Sequence, residues 1–412
     1  MKKTFLLSCL MLAAMPVMAA YTGHVYVDKN KNGVFDQSEK PLAGIKVSDG
    51  LNVVETAADG SFTLPGHERE RFIFITTPSG YKTFNRHYHK IEKKQSGYDF
   101  GLIPYSGRIR KNGSHRYIHI ADTEIFNTEN HADWVNNVRD YARNEQAAFI
   151  IHTGDICYEK GLKAHIKLMN TENMDCPVFY CIGNHDLVKG KYGEELFESI
   201  YGPVYYSFDA GNVHYVVTPM PGGDHAPGYT SDDVCRWLKN DLTHIRPGTP
   251  VVVFNHDLLT YEDTFIFKSK NAGSINLNEY NLKAWVYGHW HINYMKKQGD
   301  VYSVCTSSLD KGGIDHSTTA FRVMHVDSKG DFTSELRYTY LDKNICIASP
   351  AGVMASGVLP VAVNVYSSVS PVREVLYTCL ADGKPVLKNK RLLQSTDWSW
   401  NGELPLSHKY VG

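Results

Sequence analysis

The chain lacks the features that would make nucleic acid, a membrane span or a disulfide framework the first explanation for it. Lys and Arg number 43 against 44 Asp and Glu, a formal charge of −1, so no overall positive field draws in a polyanion. No nucleic-acid partner is expected. Beyond the first twenty residues no apolar run approaches the ~20 residues that cross a bilayer, and no transmembrane segment is expected. Cysteine is sparse, 8 in 412 residues, and without C-x-x-C spacing. With Cys9 set aside in the leader, Cys157, Cys176, Cys181, Cys235, Cys305, Cys346 and Cys379 form an odd set that cannot all pair. Buried thiols are the simpler expectation. Internal repeats and low-complexity tracts are also missing.

What is present begins with a leader. Lys2 and Lys3 precede an apolar run over 5–18 that closes on Ala19 and Ala20, the layout of a cleaved export signal. Residues 1–20 are therefore set apart from the fold, and a periplasmic or secreted protein is expected. Leu6-Leu7-Ser8-Cys9 also fits a lipoprotein signal cut before Cys9, but the apolar stretch mostly follows that cysteine.

Residues 21–105 alternate short β-like runs with turn clusters such as Ala58-Asp59-Gly60, which predicts a small β-sandwich of immunoglobulin or transthyretin type. Within it Asp28, Asn30, Asn32, Gly33 and Glu39, with Asp36 between, fit the spacing D-x-[DN]-x-[DN]-G-x5-E. A calcium site on Asp28, Asn30, Asn32, Asp36 and Glu39 is one reading, and a metal-free Asx turn on Gly33 is the other. A basic stretch over 106–116 marks a boundary. Over 116–344 the rhythm becomes strand, loop, helix, strand, an α/β unit whose ligand sites belong in the loops after strand carboxyl ends. From 345 to 412 β-like runs return as a third β-rich module, incomplete or short, with no obvious closing strand.

Five signatures follow predicted strands in order: Asp122-Thr123-Glu124, Gly154-Asp155, Gly183-Asn184-His185-Asp186, Asn255-His256, and Gly288-His289-Trp290-His291. Singly each is weak, since a lone histidine is more often a core or surface residue than a ligand. Together they put carboxylate, amide or imidazole at five strand ends. That mixture suits Mn, Fe, Mg or Zn, and two such ions about 3.5–4 Å apart can clamp the nucleophile and leaving group of a phosphoryl displacement.

These motifs resemble those of the calcineurin-like metallophosphoesterases, D-x-H, G-D, G-N-H-D/E, H and G-H-x-H, over 117–326. The resemblance implies a four-layer α/β/β/α sandwich flanked by small all-β domains. It implies an exported hydrolase of phosphate mono- or diesters that uses a metal-bound hydroxide. Carried over, Asp155 bridges two metals, Asp122 and His291 hold the first, and Asn184, His256 and His289 hold the second. His185 then stabilises the phosphoryl group or protonates the leaving oxygen, and Asp186 orients it. The N-terminal and C-terminal modules look like those flanking certain bacterial members.

One position departs from the pattern, because Glu124 stands where the family usually has histidine. If Glu124 is a ligand, the first ion sees mostly carboxylate, which favours Mn, Mg or Fe over Zn. Tyr158 is another candidate, since Gly154-Asp155-Ile156-Cys157-Tyr158 is similar to the G-D-x-x-Y motif of purple acid phosphatases, in which the tyrosine binds iron. The alternative for Tyr158 is an aromatic packed under its loop. A competing function is a metal- or ligand-binding protein that lost turnover at Glu124, against which the retained His185 argues. The loop 220–229 is either a cover for the site or ordinary surface, and Trp290 either stacks on a substrate or packs. A small-molecule, glycan-linked or lipid-linked phosphate ester all stay open as substrate.

Overall fold

Near-continuous apolar runs predict parallel strands covered on both faces, and the central unit is built from them. Strands His115–Ile120, Phe149–His152 and Val178–Tyr180 pair in parallel, Tyr117 opposite Phe149 and Ile150 opposite Val178. Ala320–Val326 and Phe332–Tyr338 complete this five-stranded sheet in antiparallel sense. The second sheet has six strands in the order Tyr206–Ala210, Val213–Val217, Val251–Phe254, Leu282–Tyr287, Val301–Cys305, Tyr294–Gln298, parallel except at its two ends. This computed structural model describes residues 20–339, 343–350, 357–367, 372–396 and 398–406, so the expected leader and Cys9 lie outside it.

The two sheets meet through aromatic rings. Phe179 stacks on Phe208 at 3.8 Å, and Tyr117 meets Tyr215 and Phe254 edge-on at 5.7 and 5.8 Å. Helices α1 (Ala132–Asn144) and α2 (Tyr158–Leu168) cover the first sheet, packing Trp134, Val138, Ala142 and Ala164 on Ile118, Ile120 and Ile150. After the short α3 (Glu195–Tyr201), α4 (Ser231–Thr243) lies on the second sheet and buries Trp237 and Leu238. A capping box starts α4: Thr230 Oγ1 accepts from the Asp233 N–H, and the Asp233 carboxylate accepts from the Thr230 N–H. The layers therefore run α/β/β/α.

The N-terminal domain is a five-stranded and a four-stranded sheet around Val25, Val47, Phe62, Leu64, Ile73 and Phe100. It is bound to the central unit by charge as well as contact. Arg71 pairs with Glu194 at 2.7 Å and Glu198 at 2.8 Å, Arg69 with Asp233 at 2.9 Å, and Lys46 with Asp209 at 3.5 Å. Behind Lys46, buried His214 sits between Asp209 at 2.7 Å and Asp241 at 2.8 Å.

The C-terminal module has a four-stranded sheet, a separate hairpin, and a core of Leu359, Val361, Val363, Leu392, Trp400 and Leu404. The sequence reading finds no closing strand there, and the structure corrects it. Ser399–Leu406 runs antiparallel along Gly357–Ser367, with Trp400 opposite Val363 and Leu404 opposite Leu359. Gly402 and Pro405 within this strand interrupt the alternation that would have revealed it. Among the described residues, seven cysteines are unpaired and five of them buried. No helix there is long and apolar enough to cross a membrane.

Candidate metal centre

The five signature loops leave the carboxyl ends of their strands and converge. Asp122 is fully buried one residue past Ala121, and both its carboxylate oxygens accept from the His289 N–H at 3.1 Å. Its Oδ1 lies 3.3 Å from His291 Nε2 and 3.9 Å from His256 Nε2. Asp155 Oδ1 accepts from the His185 N–H at 3.0 Å, and its Oδ2 lies 3.1 Å from His256 Nε2. His256 Nδ1 donates to the Thr153 carbonyl at 2.7 Å, which fixes the tautomer and leaves Nε2 to face the carboxylates.

Glycine makes this convergence sterically feasible. A Cβ on Gly183 would stand 2.2 Å from Asp155 Oδ1, and one on Gly288 would stand 2.6 Å from Asp122 Oδ2. Backbone in the left-handed region is concentrated here as well: Asp122, Glu124, Asp155, Cys157, Tyr158, His289 and His291 all have φ between 44° and 78°. Such conformations are costly for residues with a Cβ and cluster at functional sites.

The electrostatics describe a pocket short of positive charge. Burial raises the pKa of Asp122. Burial alone would depress His256, but Asp155 and then Asp122 carry it up to about 10. Asn184 Oδ1 is buried without a hydrogen-bond partner, an arrangement that in a native interior calls for an explanation. Ligand atoms of Asp155, His256 and His289 lie within 4.8 Å of one another. An orphaned amide oxygen and an imidazole that faces two buried carboxylates fit divalent cations.

Glu124 reaches the same place. Its Oε1 is 3.4 Å from His291 Nε2, and its Oε2 pairs with Lys311 Nζ. Lys311, from a loop with no motif, had no signal in the sequence. Tyr158 is 42% exposed rather than packed under its loop. Its ring stacks with Phe126 at 6.1 Å and leans on His185 at 5.2 Å.

The expected partnership of His185 with Asp186 is corrected. Asp186 is fully buried and accepts from the N–H groups of Cys157 at 2.8 Å and Gly183 at 2.9 Å, stapling two of the signature loops together. The carboxylate on His185 is Asp224, whose Oδ2 is 2.8 Å from Nδ1. Burial disfavours the His185 imidazolium, but Asp224, then Asp155, outweigh it and raise its pKa.

Asp224 belongs to the loop 220–229, which covers the site: the Asp224 N–H donates to the Asn184 carbonyl at 3.0 Å. The far end of that loop is held from outside. Arg69 donates to the Gly228 carbonyl at 2.6 Å, and Glu194, itself paired to Arg71, accepts from the Gly228 N–H. Trp290 donates to Asp257 at 3.0 Å and carries Tyr261 stacked on it at 5.9 Å.

The five residues of the expected calcium loop also come together. Asp28 accepts from the N–H groups of Asn32 and Gly33, Glu39 from those of Lys29 and Asp36, and Asp36 from the Asn30 and Asn32 side-chain amides. These bonds close the loop on itself.

Comparison with known proteins gives two family models, "N terminal of Calcineurin-like phosphoesterase" over residues 29–104 and "Calcineurin-like phosphoesterase" over 115–293. Purple acid phosphatase 13 of Arabidopsis thaliana is 26% identical over 215 residues, 49% of this chain and 36% of that protein, so the chain spans little more than a third of that relative's length. A dimetal phosphatase from Danio rerio aligns with TM-score 0.38 and 12% identity over 53% of this chain and 98% of its own. A putative 5'-nucleotidase from Staphylococcus aureus aligns with TM-score 0.34 and 12% identity over 55% and 54%.

Proposed function

Because the chain belongs to the calcineurin-like metallophosphoesterase family, we propose that it is an exported two-metal phosphoesterase acting on phosphate mono- or diesters. The observation that carries the reading is the convergence of Asp122, Asp155, His256, His289 and His291, with the Asn184 amide oxygen left buried and unpaired on the loop beside them. Asp122 and His291 would hold one cation and Asn184, His256 and His289 the other, with Asp155 shared between them and Glu124 and Tyr158 as candidate additions. Mn, Fe, Mg and Zn all suit the donor set. Two divalent cations supply Lewis-acid polarisation of phosphoryl oxygens and activation of water.

The remaining work falls to the chain's own groups. His185, held by Asp224 and with its pKa raised, carries a proton toward a phosphoryl or leaving oxygen. Asp186 fixes the Gly183 and Cys157 loops so that the His185 backbone N–H stays on Asp155. Lys311 partners the carboxylate of Glu124, which would otherwise add a third negative charge beside Asp122 and Asp155.

A second reading, a binding protein without turnover, has the Glu124–Lys311 pair as its supporting observation, since a cation already neutralises the departing position. The two are separated by loading the protein with Mn, Fe, Zn or Mg and following hydrolysis of 4-nitrophenyl phosphate and bis(4-nitrophenyl) phosphate. Metal-dependent turnover is expected, and His185→Ala should lower kcat by about 10²–10⁴ while metals are retained. Two bound metals with no turnover of any ester would favour the binding protein.

A further inference from the structure

Large apolar side chains left exposed on the central unit are few, and they are gathered in one region. Among its described residues they are Phe126, Tyr158, Tyr261 and Ile314, at 52, 42, 76 and 75% exposure. Each sits on, or directly after, a loop of the candidate site. Phe126 follows Glu124, Tyr158 follows Asp155, Tyr261 follows His256, and the Ile314 N–H donates to the His291 carbonyl at 2.9 Å. A scattered exposed apolar residue needs no explanation, but four around one mouth make a patch of the kind that marks a binding surface.

Two further observations bear on what the patch accepts. A cavity of about 660 Å³ lies between 219–221 and 258–268, lined by Met220, Leu258, Leu259 and Phe267, with the neighbours of His256, Asn255 and Asp257, in its wall. That size suits a ligand pocket, typically ~300–1,000 Å³. Lys311, beside Glu124, also lies 5.8 Å from the Phe126 ring centroid, so a cation stands next to both the apolar rim and Glu124.

We propose that the site takes phosphate esters of long-chain, lipid-like alcohols, with the phosphate at the metal ligands and the hydrocarbon against Phe126, Tyr158, Tyr261 and Ile314. This substrate class rests on the phosphoesterase reading. A nucleoside is a poorer match. Phe126 with Tyr158 and Tyr261 with Trp290 are already stacked in pairs, Ile314 offers no ring, and the surface of the cavity is more apolar than polar.

The test separates recognition from turnover. Binding of methyl- to decylphosphonate to the metal-loaded protein, below micelle-forming concentrations, is measured by calorimetry, and glycerol phosphate hydrolysis is measured alongside. Affinity should rise by about twofold per methylene, given that full burial gives about fourfold. The exposed double variant Tyr261→Ser/Ile314→Ser should lose tenfold or more for decylphosphonate and none for methylphosphonate. Flat affinity along the series, or tighter binding of a nucleoside monophosphate than of decylphosphonate, overturns the proposal. Chain-length dependence without any ester hydrolysis keeps the lipid site and removes the phosphoesterase reading, while glycerol phosphate hydrolysis with a flat series does the reverse. Co-sedimentation with phosphatidylcholine vesicles containing phosphatidic acid identifies a membrane as the source of the amphiphile, and chain-length dependence without capture identifies a dispersed one.

Discussion

Raising the pH should loosen the joint between the N-terminal domain and the central unit, and His214 sets how much. Its imidazole is fully buried between Asp209 and Asp241, with Ser207 donating to Asp241, Thr76 bonded to Ser207, and Lys46 on the outer side of Asp209. Burial alone would lower its pKa, but Asp241 and Asp209 together lift it from 6.5 to about 8. At 1.36 kcal/mol per unit the charged form is worth roughly 2 kcal/mol to the fold. A histidine raised on folding gives stability that is complete below pH 6.5 and is lost as pH rises through 8. His87 and His165, kept neutral by burial with pKa near 3, act in the opposite sense and cost stability only as pH falls below 6.5. The assay is urea denaturation of wild type and His214→Asn at pH 6.5 and 9.5. The variant should be much the less stable at pH 6.5, and the gap should narrow by about 2 kcal/mol at pH 9.5. A gap that does not change with pH would refute the assignment of a buried imidazolium.

Gly183→Ala should abolish metal retention while the protein stays folded, because its Cβ would fall 2.2 Å from Asp155 Oδ1. Gly97→Ala, where a Cβ meets nothing within 4 Å, is the control. Elemental analysis after dialysis decides, and an undiminished metal content in the Gly183 variant would sink the argument. Glu124→His removes the partner of Lys311 and supplies a nitrogen donor, so the retained zinc-to-manganese ratio should rise several-fold. An unaltered ratio would mean that Glu124 does not set the metal preference.

The residues that gather at the candidate metal centre were legible as candidates because each follows a recognisable strand by one to four residues, so that strand periodicity and a two- to four-letter signature locate them together. The α/β/β/α core was legible for the same reason: runs such as Ala147–Ile151 and Val251–Phe254 are apolar without a break. What escaped depends on contacts between distant segments. Asp186 is adjacent to His185 in sequence, yet its carboxylate turns toward the Cys157 and Gly183 amides, while the carboxylate that meets His185 comes from 39 residues further on. Lys311 lies 187 residues from Glu124 in a turn without regular structure. No local pattern encodes such a pairing, because the register between loops is fixed only once both sheets have packed.

The grip of Arg69 and Arg71 on Gly228 and Glu194 changes what counts as a separable part of this molecule. A domain ahead of a catalyst is commonly pictured as cargo that can be cut away or exchanged. Here the first module holds one end of the very loop whose other end sets Asp224 on His185. Cutting the chain near residue 105 would keep every candidate metal ligand and release the brace. In recombination, natural or designed, the smallest inheritable unit that keeps His185 partnered is therefore the pair of domains, with the seam between them travelling as part of the candidate site.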